Sequence, residues 1–172
     1  YPLSGFVVYN KSQLSMKNCT FSGHIKSTSN ASVDISGFIS SMSGESSFKF
    51  DRCAFTGGIE ILAGWRAGAF VSTNTSTMVA DCEMNFCEMS GSISQENGSE
   101  RVGGFIGSPN TDKSSYIMRG CLMNGTCKRW KSNQEHVWIT QENCIIMGCG
   151  TWKTMGSNTS TTNCYLTPTT EL

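Results

Sequence analysis

Cysteine is the residue through which this chain would most readily do chemistry, and it has nine, at positions 19, 53, 82, 87, 121, 127, 144, 149 and 164. Structural zinc needs closely spaced cysteine pairs with partners at set distances, yet no Cys-x-x-Cys occurs and the only histidines are His24 and His136. Neither histidine stands in a ligand motif, so no metal and no cofactor is expected. A nucleophilic thiol needs an oriented base beside it. His24 lies five residues from Cys19, but on an outward or turn position whose later members are Gly58, Ser92 and Thr126, which marks it as a surface residue.

The positions of the cysteines carry a different message. Cys19, Cys53, Cys87 and Cys121 are 34 residues apart at every step. Gly23, Gly57, Gly91 and Gly125 share that interval, as do Ile25, Ile59, Ile93 and Cys127. Three more columns are Phe21, Phe55, Met89 and Met123; Met16, Phe50, Met84 and Met118; and Leu14, Phe48, Cys82 and Tyr116. Within a repeat the apolar residues alternate, pause and alternate again. Leu14 and Met16 point one way, Lys17 and Asn18 interrupt, and Cys19 and Phe21 resume. Alternation marks a strand, and the pause marks a corner where the chain bends into a new sheet. Half a repeat away a second set returns as SGFVV from Ser4, SGFIS from Ser36, GAFVS from Gly68, GGFIG from Gly103 and HVWIT from His136.

These columns specify an all-β fold, a single-stranded parallel β-helix (β-solenoid) of about 34 residues per coil and about five coils, in one domain over 1–172. Regular repeats span about 1–127, and the part over 128–172 is irregular. Right-handed coiling is expected, as for parallel crossovers generally. A two-sheet antiparallel sandwich also uses short strands, but gives no reason for cysteines at one fixed interval. Stacked coils also set residues one repeat apart face to face, where like charges would repel. Lys17 is followed by Asp51, Lys26 by Glu60 and Lys49 by Glu83, with no like-charged pair between successive repeats across 14–26.

In that frame Cys19, Cys53, Cys87 and Cys121 form an inward core ladder, and the glycine column marks a turn held by positive φ or by tight packing. Successive ladder cysteines stand within disulfide reach and would equally serve as small buried hydrophobes. Cys144 and Cys149 are the candidates for a local disulfide, because ENCIIMGCG departs from the repeat. An odd total leaves at least one thiol unbridged or paired between chains. Carbohydrate-cleaving β-helices cluster acids on one outer face. Here Thr20, Ala54, Glu88 and Leu122 share one column and Ser22, Thr56, Ser90 and Asn124 another, so Glu60, Asp81, Glu83 and Glu88 read as solvated. GGFIGS (103–108) lacks the Lys-Ser/Thr ending of a phosphate loop, and STNTST (72–77) is not repeated in neighbouring coils as an ice-binding array would be. No catalytic residue is assigned, and the chain is expected not to be an enzyme.

Composition bears on the compartment. Charged residues are 15%, with Lys+Arg and Asp+Glu at 13 each, so there is no basic footprint for nucleic acid. No apolar run is long enough for a membrane span. The opening YPLSGFVVYN has no signal-peptide pattern, so a signal has been removed or the chain is cut from something longer. Asn-x-Ser/Thr occurs seven times, at Asn10, Asn18, Asn30, Asn74, Asn97, Asn124 and Asn158. That abundance, with the cysteines, points to a secreted extracellular glycoprotein carrying N-linked glycans.

The stretch GGFIG (103–107), followed by a turn and GCLMNGT, resembles GLUG-type repeats. It is also similar to the GGA(I/L/V) and FxxN repeats of polymorphic-membrane-protein adhesins. Those families are extracellular β-helical surface or adhesin segments, so the resemblance, over about 1–127, implies a surface-exposed β-helix here. Unlike the bacterial families, this chain has Cys in every repeat and sequons on its loops.

The function expected is structural or adhesive: a cell-surface filament or coat subunit that joins copies of itself head to tail. YPLSGFVV begins partway through a repeat, and in TTNCYLTPTTEL the pair Cys164 and Leu166 echoes the Cys–Phe/Met pair, so the two partial coils are complementary. The alternative is a carbohydrate-binding or carbohydrate-processing β-helix with its site on the irregular C-terminal part. All seven sequon asparagines are expected to be exposed and several to carry glycan when the chain passes through a eukaryotic secretory pathway. Glycopeptide mass spectrometry checks this, and seven bare sites would remove the protein from that route.

Overall fold

Phe48 and Phe50 show how this sequence makes a wall of the solenoid. In the strand Ser47–Asp51 they point inward and are buried, while Ser47, Lys49 and Asp51 face outward, the two-residue period of a half-buried strand. The same alternation one coil earlier orders Gln13–Lys17, with Leu14 and Met16 inward. A computed structural model describes residues 2–28, 33–74, 81–109, 115–128, 138–146 and 159–166.

The described strands form four sheets, and every pairing is parallel. The first sheet stacks Gln13–Lys17, Ser47–Asp51, Asp81–Asn85, Ser115–Arg119, Trp138–Glu142 and Thr159–Thr162. The second stacks the two-residue strands Thr20–Phe21, Ala54–Phe55, Glu88–Met89, Leu122–Met123, Ile145–Ile146 and Tyr165–Leu166. The third is built on the long strands Gly58–Gly68 and Ser92–Gly103, flanked by Leu3–Ser4, His24–Ser27, Asp34–Ser36 and Thr126–Lys128. The fourth holds Val7–Asn10, Ile39–Met42, Val71–Asn74 and Ile106–Pro109. This is the parallel β-solenoid that the repeats predict.

The register is the repeat itself: Phe48 follows Leu14, Phe50 follows Met16, and Phe55 follows Phe21. Like side chains therefore stack in ladders. Rings of Phe6, Phe38, Phe70 and Phe105 lie face over face at centroid distances of 5.0, 4.7 and 5.3 Å. Phe21 and Phe55 stack at 5.4 Å with only 12° between their planes. Behind the SGF turns, Ser40 Oγ donates to the Asp34 carbonyl at 2.7 Å and Ser72 Oγ to the Arg66 carbonyl at 2.8 Å, which satisfies buried hydroxyls where the chain reverses.

Both kinds of corner have identifiable causes. At the first, the residue before each ladder cysteine has positive φ: Asn18 at 53°, Arg52 at 52°, Phe86 at 53°, Gly120 at 60°, Asn143 at 53° and Asn163 at 51°. One left-handed residue turns the chain and returns the next side chain to the interior. At the second corner, the glycine column is selected by close approach. Gly57, Gly91 and Gly125 each sit against the carbonyl of the glycine one coil before, and a Cβ there would run into that oxygen. The same carbonyls accept the amides of Gly58, Ser92 and Thr126 at 3.0 Å, which fixes the approach.

The C-terminal part departs from expectation in one assignment. The stretch HVWIT does not continue the SGF column. Its described residues Trp138, Ile139 and Thr140 pair with Ser115, Tyr116 and Ile117 in the first sheet. The coil has shortened: the step from Cys121 to Cys144 is 23 residues and from Cys144 to Cys164 it is 20, against 34 before. Among the described residues the first two sheets thus hold six rungs, while the fourth holds four.

Phe55 is fully buried and stacked on Phe21. Phe55→Ala is expected to cost about 3–5 kcal/mol of stability through the cavity it leaves, measured as the shift in equilibrium urea unfolding.

Candidate functional site

Cys19, Cys53, Cys87, Cys121, Cys144 and Cys164 each follow a left-handed corner residue, and the corner directs their thiols inward. Cys53, Cys87, Cys121 and Cys144 are buried; Cys19 and Cys164, at the two ends of the described ladder, are half-buried. The thiols share one hydrogen-bonding pattern. Each donates to the carbonyl two residues back, as Cys87 Sγ does to Asn85 at 3.5 Å. The interior ones also donate to the coil before, Cys121 Sγ reaching the Met84 carbonyl at 3.3 Å and Cys144 Sγ the Met118 carbonyl at 3.5 Å.

Neighbouring thiols in the column separate one another's acidities. The adjacent Cys144 and Cys87 sulfurs, together with burial, keep Cys121 protonated, raising it far above an ordinary thiol. Cys121 in turn lowers Cys87, and brings Cys144 down to about 6. Cys53 donates to the Met16 and Asp51 carbonyls, and burial pushes its thiol up to about 11.

Cys144 belongs to the ladder: its segment keeps the corner (Asn143, then Cys144) although the coil length changes, and its sulfur points inward. Cys149, its expected partner in a local bridge, lies outside the described residues. His24 is on the outer surface with its Nε2 3.3 Å from Glu60, and His136 lies outside the described residues. Among the described residues no group of three His, Cys, Asp or Glu side chains converges on a metal position.

The axial charge pairs form as the columns imply: Lys17–Asp51 at 3.4 Å, Lys26–Glu60 at 2.9 Å and Lys49–Glu83 at 3.1 Å. The hydrogen bond from Lys26 holds the Glu60 carboxyl below its usual range, and that from Lys49 does the same for Glu83. Each exposed pair contributes little stability. Their geometry reports that the coils are in register.

The sequon asparagines fall into distinct environments. Asn18 and Asn124 are exposed, and Asn18 is itself a left-handed corner residue. Asn10 is not exposed, contrary to expectation: it is 5% accessible. Its Nδ2, the atom a glycan would take, donates to the Ser47 carbonyl at 3.0 Å, and its Oδ1 accepts the Ser12 amide at 3.3 Å. The side chain ties the end of one strand to the start of another in the next coil, which removes Asn10 from the sites expected to carry sugar. Asn74 and Asn97 lie in the strands Val71–Asn74 and Ser92–Gly103, while Asn30 and Asn158 lie outside the described residues.

Two surface features were not anticipated. Phe86 is 61% exposed although it occupies a left-handed corner, a rare conformation for a bulky side chain. The Arg52 guanidinium sits 5.8 Å from its ring centroid, and the ring lies where a side chain on Gly120 would be. Arg52, Cys53, Ala54, Phe86 and Glu88 line a shallow depression there. The second feature is the outer face of the first coil, where Leu3, Phe6, Val8 and Tyr9 are exposed. The only sequence signal for Phe86 was its position before a ladder cysteine, and the residue types in that column are too mixed to declare a common conformation.

Comparison with protein families, curated proteins and solved structures gives no match to this chain.

Burial of Cys53 has a pH consequence. Its folded pKa of about 11 exceeds the ordinary 9.0, so its contribution to stability is complete below about pH 9 and is lost as pH rises toward 11. The difference in urea midpoint between the native chain and Cys53→Ala is expected to shrink across that window in the native chain's disfavour. A difference that stays constant with pH would contradict this.

Proposed function

We propose that this chain is an extracellular structural or adhesive repeat glycoprotein, and that its coils stack head to tail with further copies into a surface filament or coat. The observation that carries the reading is the stacking of the coils themselves: every described pairing is parallel and in register, and each coil meets the next through the same strands and the same core rungs. On the first coil Leu3, Phe6, Val8 and Tyr9 are exposed apolar residues. A coil edge of this kind is a template for any further coil of like register, including one from another copy. Such a heterologous contact does not close on itself and extends into a filament. The sequons at Asn18 and Asn124 place sugar acceptors on the outside of the rod, where glycans would not obstruct stacking.

A second reading, carbohydrate binding, draws on Phe86. An exposed ring flanked by Arg52 and Glu88 offers the apolar face and charged rim on which a sugar ring can lie. This places the contact on a corner of the regular coils rather than on the C-terminal part. A glycan array with Phe86→Ala as control tests that reading separately.

For the assembly reading, purified chain is expected to form concentration-dependent rods visible by negative-stain microscopy. Val8→Asp, which puts a charge on the open face, is expected to leave the protein folded and monodisperse. Native chain that stays monomeric by light scattering at every concentration would overturn the reading.

A further inference from the structure

One outward column of the first sheet carries charges whose order has a symmetry of its own. The registers Lys17↔Asp51, Asp51↔Asn85, Asn85↔Arg119 and Arg119↔Glu142 set these residues one above another. Along the solenoid they run positive, negative, neutral, positive, negative. Turned end for end about Asn85, the series has the opposite sign at every charged position. We propose that this wall is a contact surface for a second copy of the chain, packed face to face and antiparallel on a two-fold axis along the strand Asp81–Asn85.

Under that operation Lys17 meets Glu142 of the second copy, Asp51 meets Arg119, and Asn85 meets Asn85, whose amide both donates and accepts. No internal pair has to break. Lys17–Asp51 at 3.4 Å and Arg119–Glu142 at 2.9 Å already hold the four groups in place. The second copy therefore closes a square in which neighbours on all four sides have opposite charge, once at each end of the wall. Asp51 also takes Arg52 at 3.3 Å, and a carboxylate has acceptor sites for a further donor. Side chains fixed beforehand lose less freedom on association.

The order of charges also rejects the alternatives. A slip of one rung sets Asp51 against Glu142 in one direction and Lys17 against Arg119 in the other. A parallel face-to-face pair brings the Lys17 column opposite the column of Gln13 and Ser47, where no opposite charge waits, and sets Lys49 on Lys49. In the antiparallel pair the described side chains make one like-charged contact, Glu83 against Glu83 on the axis, and each keeps its own Lys49 at 3.1 Å. The face is small, built on short strands such as Gln13–Lys17 and Ser115–Arg119, so the association is weak and salt dissolves it.

The test uses the intact chain made without N-glycans, because Asn18 borders this wall, in sedimentation velocity at about 20 mM and about 0.5 M salt. Native chain is expected to pair at the lower concentration of salt and to separate at the higher. Lys17→Glu with Asp51→Lys keeps that internal pair but reverses what it shows to the second copy, and Arg119→Glu with Glu142→Lys does the same at the other end. Each exchange alone is expected to abolish pairing, whereas an equimolar mixture of the two variants pairs, because every contact between unlike copies is then attractive. Carbodiimide treatment of native chain is expected to couple Lys17 to Glu142, which within one copy lie about 19 Å apart along the column. Rods formed by end-to-end stacking are unaffected by either exchange, so this contact and that stacking fail separately. Native chain that stays unpaired at low salt, an exchanged variant that pairs alone, a mixture that stays unpaired, or the absence of the Lys17–Glu142 coupling would each sink the proposal.

Discussion

In-register parallel hydrogen bonding between coils is the constraint on which the remaining structure depends. It sets each residue about 4.8 Å from its counterpart in the next coil, so a side chain is acceptable only if it tolerates that neighbour. Aromatic rings tolerate one another as stacks, as Phe38 and Phe70 do at 4.7 Å. Lysine tolerates an acid, as Lys49 does Glu83. Glycine at 57, 91 and 125 tolerates a carbonyl that would exclude any side chain. Cysteine tolerates cysteine because each small thiol turns to backbone carbonyls, as Cys87 does to Phe50 and Asn85. Four unrelated chemistries thus answer one geometric demand.

The corner before each ladder cysteine is where the fold is most uniform and the sequence least so. Asn18, Arg52, Phe86, Gly120, Asn143 and Asn163 share a φ between 51° and 60°. Asparagine and glycine enter this region at low cost, arginine and phenylalanine less readily. The surrounding hydrogen bonds impose it, as the Arg52 amide is held by Asn85 and the Phe86 amide by Arg119. The corner also survives when the coil shortens after Cys121, so the first two sheets and their connecting bend behave as the unit that persists.

Which parts of this were legible in the sequence follows from how local each cause is. Inward columns such as Phe21, Phe55, Met89 and Met123 were readable because their cause, a repeated rung, is itself a sequence interval. The charge pairs were readable for the same reason. The stretch HVWIT was assigned to the wrong sheet because an aromatic between apolar residues looks alike in any strand, and only coil length distinguishes them. The ladder membership of Cys144 was not legible because the interval changed while its corner did not. Asn10 carries a sequon within three residues, but its burial depends on the Ser47 carbonyl in the next coil, which no local motif encodes.

The charge pairs have one more property. In Lys17–Asp51, Lys26–Glu60, Lys49–Glu83 and Arg119–Glu142 the cation belongs to the earlier coil and the anion to the later one; Arg66–Asp34 runs the other way. Each pair is thus a local axial dipole, and four of these five are positive toward the first coil. Two walls carrying such pairs attract side by side when they point in opposite directions, whereas walls meeting end to end attract when they point the same way. Salt shortens the range of this preference to about 10 Å, so it acts only once two rods are nearly touching and then favours one orientation over its reverse.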